Sequence, residues 1–269
     1  MANAVAALPT QKTRSIDMSK NNLTRDFAKV LEASGLTITN SADVDQTPSA
    51  NYSLAKSIVN SKAVLVPFLI GLALSLRDKN CKGCFSYVME DVRDKGILLQ
   101  FLDNLKNRDL IAQWQIQDSE DGINFTVEVP ADEQKKRFFR SEWAELCFRY
   151  VIMRIVQQFC TSRATPLSFK SFQNVELAKT GEGQLFTELD LVVQIEKRFY
   201  VFEVKSGPWI RILQWAKREN AFVYKGSPIR NIVCTVHENI PGCIFEPQVL
   251  WSLGNIESCL REMLRKDFS

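Results

Sequence analysis

The run from Phe186 to Lys205 limits the fold of this chain more than any other segment. It is dense in β-branched and aromatic residues, and one charged triplet, Glu196, Lys197 and Arg198, interrupts it. That pattern predicts two adjacent strands with a tight connection. Tyr200, Phe202 and Val204 fall on one face of the second strand, with Phe199 and Val201 on the other. Apolar residues on both faces mark a central strand covered above and below. Yet this strand also carries Glu203 and Lys205, and the first carries Glu188 and Asp190. Residues two apart point the same way, so each pair shares a face. Charged side chains rarely sit on a buried strand unless they are paired or bound to metal. Thirteen positions separate Asp190 from Glu203, and Lys205 follows two later, so the acids and the lysine gather at one end of the hairpin. Such a group can hold a hard cation and a phosphate. The rival reading is an exposed ion pair on an edge strand, of little energetic value. The apolar cover argues against it.

The rest of the chain divides into three parts. Residues 1–52 are rich in Ser, Thr, Asn, Asp and Ala and read as a mostly flexible segment, with one short helix from Thr24 to about Ser34 ended by Gly35. Residues 53–131 read as a small second unit. Helices are expected at Leu54–Val59, Val64–Leu76, Phe85–Arg93 and Gly96–Asn107. A hairpin then runs through 110–117 and 123–129 around Asp121-Gly122. Helices followed by a hairpin suggest a winged-helix-like subdomain. A helical subdomain that touches no nucleic acid is equally open, because the hairpin is acidic at Asp118, Glu120 and Asp121. Residues 132–269 start with a strong amphipathic helix over 133–160, on the apolar face of Phe139, Trp143, Leu146, Tyr150, Met153 and Val156. Strands follow at Phe169–Leu177, through the acidic hairpin, at Asn231–Thr235 and at Gln248–Trp251. Helices are expected near Ile210–Asn220 and Asn255–Lys266. That order implies an α/β fold with a mixed central sheet flanked by helices.

Composition narrows the chemistry. The 269-residue chain has one histidine, His237, which argues against metal sites or acid–base pairs built on several histidines. Catalysis should run on carboxylates, lysine and metal-bound water. The net charge of +3 predicts no nucleic-acid partner by itself. Seven cysteines, an odd number, form no disulfide framework, and a reducing cytoplasmic interior is the simpler expectation. Cys81 and Cys84 have zinc-knuckle spacing but lack a second pair at a set distance. Thr180-Gly181-Glu182-Gly183 lacks the ending of a phosphate loop and reads as a turn. The apolar run Val64–Leu76 is too short to span a bilayer, so no membrane partner is expected. The first sixteen residues carry no acid, as in transit peptides, but read better as a loose leader.

With Asp190, Glu203 and Lys205 in that helix–strand order, the chain resembles the PD-(D/E)xK nuclease superfamily, whose restriction-endonuclease-like fold is a mixed sheet between helices. Glu203-Val204-Lys205 matches its acid-x-lysine element. Thr187-Glu188-Leu189-Asp190 lacks the proline of the name, as many members do. A glutamate from the preceding helix often completes the set. Glu145 occupies that place, with Glu142 in reserve. A closer resemblance, over residues 85–240, is to the nuclease domain of CRISPR-associated DNases that carry a cyclic-nucleotide-sensing Rossmann-like domain. The shared elements are Trp143-Ala144-Glu145, Glu188-Leu189-Asp190 and Glu203-Val204-Lys205. Residues 1–80 show no such sensor pattern, so activation by a cyclic oligonucleotide is not implied.

The resemblance implies a Mg2+- or Mn2+-dependent endonuclease acting on DNA, ahead of RNA. Asp190, Glu203 and the Val204 carbonyl would hold the ion, since hard cations favour oxygen. Lys205 would orient water or offset phosphate charge. Glu145 would assist a second ion or a bound water, although Arg149 four residues on could simply pair with it. Glu188 would be an outer ligand. Beyond Lys205, the residues Trp209, Arg211, Trp215, Lys217, Arg218, Tyr224, Lys225 and Arg230 interleave aromatics and cations. They suit a phosphate-gripping, base-stacking surface, or equally an amphipathic core helix. A homodimer fits the logic that one site cuts one strand. The alternative from another class is a nuclease-fold protein without turnover that binds nucleic acid or a partner.

Overall fold

The computed structural model describes residues 22–43, 50–77, 84–89, 94–119, 122–181, 185–207, 229–237, 244–245 and 248–269. In chain order these form α1 (Asn22–Glu32), β1 (Leu36–Asp43), α2 (Ala50–Asn60), α3 (Lys62–Ser75), β2 (Cys84–Met89) and α4 (Lys95–Asn107). Next come β3 (Gln113–Ser119), β4 (Gly122–Glu128), the short α5 (Glu133–Arg137), a π-helical turn (Phe138–Glu142) and α6 (Trp143–Thr161). The chain closes with β5 (Phe169–Lys179), β6 (Leu185–Ile195), β7 (Arg198–Lys205), β8 (Ile229–Thr235), β9 (Ile244–Phe245), β10 (Gln248–Ser252) and α7 (Ile256–Asp267).

Seven strands make the central sheet, in the order β1-β5-β6-β7-β8-β10-β9. The pairs from β1 to β7 are antiparallel, β7–β8 and β8–β10 are parallel, and β9 closes antiparallel on β10. The fold is therefore mixed α/β with a mixed central sheet flanked by helices. The strands of the Phe186–Lys205 run lie at the centre, as their two-sided apolar pattern requires. Leu191, Val193, Tyr200 and Phe202 join α6 and α7 in one core. Val192, Phe199 and Val201 pack on Phe27 and Leu31 of α1 on the other face.

α6 forms because apolar residues recur at helical spacing on more than one side, so Trp143, Cys147, Phe148, Ile152 and Ile155 are all buried. Asp132 caps the preceding turn by accepting from the Gln134 and Lys135 amides at 2.7 and 3.3 Å. α4 buries Leu98, Phe101, Leu102 and Leu105, which recur at the spacing of one helix face. Among the described residues no single helix is long and apolar enough to cross a membrane. α2 and α3 reach the length together but meet at 112°, and Leu54, Ile58, Phe68 and Leu69 are buried in the α6 core.

Three expectations change. Phe85 to Arg93 reads as a helix, but Cys84–Met89 is a strand on the outside of a second antiparallel sheet, order β2-β4-β3. Its alternation, with Phe85 and Tyr87 against Phe68 and Val88 exposed, has the period of a strand. The first 52 residues are expected to be mostly loose around one short helix at 24–34; that helix is present as α1 and covers one face of the central sheet, and an unexpected strand, β1, pairs along β5 from Leu36–Lys179 to Asp43–Phe172. Gly35, at φ 73°, allows the turn between them. Residues 53–131 read as a separate unit, but their apolar residues share one continuous core with α6. The helix expected at 210–220, together with Cys81, lies outside the described residues.

Candidate active site

The site sits where the central sheet forks. β6 and β7 pair from Ile195–Arg198 up to Leu191–Phe202 and no further. Beyond that point β6 continues along β5, with Leu189 opposite Val175, and β7 continues along β8, with Glu203 opposite Val233 and Lys205 opposite Thr235. An amide freed by such a fork must find another acceptor. The Val204 N–H donates to Asp190 Oδ2 at 2.7 Å, so the aspartate caps the opened ladder. Lys205 Nζ lies 3.0 Å from Glu203 Oε2 and 3.9 Å from Asp190 Oδ2. All three side chains are mostly enclosed, with side-chain exposures of 17% for Asp190, 10% for Glu203 and 31% for Lys205.

A kink aims Asp190. Leu189 packs in the α1-side core and Leu191 in the α6-side core, although two residues apart on a flat strand would face the same way. The matching break on β5 falls between Phe172 and Val175, both on the α1 side. Between them Asn174 adopts φ 52°. Asparagine tolerates this left-handed conformation better than most residues. Departures from a regular ladder beside a site re-aim side chains in this way.

Electrostatics bind Glu145 of α6 into the same group. Its carboxyl is pushed up to about 7, first by burial, then by the charges of Asp190 and Glu142, with Lys205 and Arg137 working against the shift. Burial also raises Asp190, while Lys205 and the Val204 amide pull it down. Burial disfavours the Lys205 charge, but Glu203 and Asp190 beside it prevail and raise its pKa, so it stays an ammonium. Arg149 donates to Gln173 Oε1 of β5 and feels Glu145 only as a secondary influence, after burial. Glu145 is therefore not part of a solvated helix-face pair.

Glu142 is taken by Arg137 at 2.9 Å. Glu188 is exposed on β6, opposite Glu176. Arg230 lies opposite Tyr200, five residues along a parallel ladder from the Lys205–Thr235 pair, or about 16 Å. It bonds Asp267 at 3.0 Å and is not brought to the site. Trp209, Arg211, Trp215, Lys217, Arg218, Tyr224 and Lys225 lie outside the described residues. His237 is a satisfied histidine, its Nε2 2.9 Å from the Gly207 carbonyl oxygen. Sequence reasoning missed Ser206 and Arg140. Ser206 Oγ donates to the Arg140 carbonyl at 3.0 Å and so anchors the segment after Lys205 to the π-helical turn. No local pattern marks that contact, because the two residues are 66 apart in sequence.

Among the described residues no three His, Cys, Asp or Glu side chains form a complete metal cage. Asp190 and Glu203 supply carboxylate oxygens, the ligand type that hard divalent ions take. Magnesium is commonly held by one or two carboxylates and keeps several waters. The carboxyls of Asp190 and Glu203 face one ammonium, and Glu145 is raised first by burial and then by the charges of Asp190 and Glu142.

No family model matches the sequence, and no curated protein matches it. Thirteen chains of known structure do. One is protein VC1899 from Vibrio cholerae, similar with a TM-score of 0.52 at 14% identity, over 90% of this chain and 60% of that one. This chain thus spans about three fifths of the length of that neighbour, and at such identity the likeness concerns the fold alone.

Proposed function

We propose that the protein is a metal-dependent nuclease that hydrolyses phosphodiester bonds of DNA, with single strands and RNA as further substrates. One observation carries the reading: at the fork between β6 and β7, Asp190 and Glu203 converge on Lys205. The sheet order supports a restriction-endonuclease-like fold, because two antiparallel steps from β5 to β7 precede a parallel step to β8 behind the helix α6.

Asp190, Glu203 and the Val204 carbonyl would hold Mg2+ or Mn2+, with Glu145 alongside. Such an ion supplies a water acidified toward neutral pH and offsets phosphate charge. Lys205, kept charged by its two acids, faces the incoming phosphate and steadies negative charge that grows during attack. Asp190 holds its orientation through the Val204 amide, so the carboxylate is set before substrate arrives. The apolar cover of β7 excludes water from behind the site.

The test is cleavage of supercoiled plasmid, single-stranded DNA and RNA in Mn2+. Wild type should cut, and Asp190→Ala and Lys205→Ala should each lower the rate by about 100-fold or more. The existing engagement of Asp190 by the Val204 amide and of Glu203 by Lys205 favours a second reading, a nuclease-fold binder without turnover. Tight binding by wild type with no cutting would establish that reading.

A further inference from the structure

Nucleic acid is a polyanion, and the site as described holds three carboxyls against one lysine. Cations at its rim must therefore receive the strand. The corner formed by α3, α5 and the π-helical turn brings up five. Four already have carboxylate partners, two of them sharing one acid: Lys135 with Asp109 at 2.7 Å, Arg137 with Glu142 at 2.9 Å, and Lys136 and Arg140 with Glu133 at 3.5 and 3.1 Å. The fifth is Arg77, just past the end of α3. It is exposed and has no carboxylate partner among the described residues.

Arg77 is also held in place. Its Nη2 donates to the Arg140 carbonyl at 3.1 Å, and Arg140 Nη2 donates back to the Leu76 carbonyl at 3.1 Å. The same Arg140 carbonyl accepts from Ser206 at 3.0 Å, so Arg77 and the residue after Lys205 share one acceptor. Its Nη1 lies over Gly207, 3.9 Å from where a Cβ there would stand. Gly207 is two residues beyond Lys205, at most about 7 Å of chain, the scale of one nucleotide step. One nitrogen fixes the guanidinium, and among the described residues its other donors remain for a ligand. A planar, always-charged fork suits a phosphate.

We infer that Arg77 grips the backbone phosphate next to the one that meets Lys205, so that the N-terminal helices supply part of the substrate-binding surface. The inference rests on the nuclease reading and adds a binding residue to it. The test is fluorescence anisotropy with labelled single-stranded and duplex DNA, across a salt series, with Ca2+ replacing Mn2+ to prevent cutting. Arg77→Ala should bind roughly five- to tenfold more weakly and lose close to one unit of the log–log salt slope, since one phosphate contact disappears. Arg77→Lys should keep the slope. Arg77→Gln retains an N–H donor for the Arg140 carbonyl and should behave like alanine, which keeps the test decisive if the alanine variant does not fold. Unchanged affinity and slope in the neutral variants, with wild type binding and cutting DNA, would sink this inference alone and leave Arg77 as a bolt between α3 and the π-helical turn. Failure of wild type to bind any nucleic acid would remove both the inference and the nuclease reading.

Discussion

Glu145 shows how one buried side chain reports the charge of the whole site. Its carboxyl titrates near 7 rather than 4.5 because burial and the neighbouring Asp190 and Glu142 oppose its ionisation. The fold therefore keeps a proton that the unfolded chain releases from about pH 4.5. Between that value and about 7 the native state binds more protons, so stability falls as pH rises. Below the window this contribution is fully present, and above it the contribution is gone. The span corresponds to something on the order of 3 kcal/mol. In chelator-containing buffer, urea unfolding at pH 5 and pH 8 should show wild type losing more stability than Glu145→Gln does. Parallel pH curves for the two would mean the carboxyl titrates as an ordinary glutamate. Asp190 has its own constraint. It must both cap the Val204 amide and approach Lys205, which requires the kink opposite Asn174.

Elements are locked at both ends of β7. At the site end, α3 and the π-helical turn exchange hydrogen bonds through Arg77 and Arg140, and Ser206 joins them. A π-helical turn is often found near functional sites, and here it presents the Arg140 carbonyl to two partners. At the far end, Asp267 closes α7 onto the sheet. Its carboxylate is 6% exposed and accepts from Tyr200 Oη at 3.0 Å and Arg230 Nη2 at 3.0 Å, with Arg198 at 3.6 Å. Three donors converge on one enclosed acid, so Asp267→Asn should cost about 2 kcal/mol. Equilibrium urea denaturation checks this, and a loss near zero would mean the arginines find water as readily as the acid. Because this clamp lies at the opposite end of β7 from the fork, the variant should leave the proposed DNA cleavage within about twofold once folded, as expected for distant, independent sites.

At the scale of the molecule, the sheet is a shared wall. α6 and the helices of residues 53–131 form one core against it, and α1 forms the other. Phe27 of α1 is 3% exposed and stacks 5.2 Å from Phe199 of β7. Phe27→Ala should therefore destabilise the whole protein by roughly 3 kcal/mol, as core phenylalanine truncations do. A loss below about 1 kcal/mol by the same denaturation assay would return the N-terminal segment to a loosely attached role. The amino-acid sequence alone was enough to define the elements whose pattern is local. The alternation of β6 and β7, the 3.6-residue spacing of α4 and α6, and the closing helix all read directly, because period and apolar face suffice to define them. It also placed Asp190, Glu203 and Lys205 at one end of a hairpin, since two-residue periodicity fixes direction. What it left undecided depended on partners distant in the chain. β1 is polar on its own and becomes a strand only because β5 offers a ladder. β2 is too short to betray its period until β4 pairs with it. The kink at Asp190, the rise at Glu145 and, among the described residues, the cation left without a carboxylate at Arg77 arise from neighbours many residues away. Only packing decides those, because burial and charge act through space rather than along the backbone.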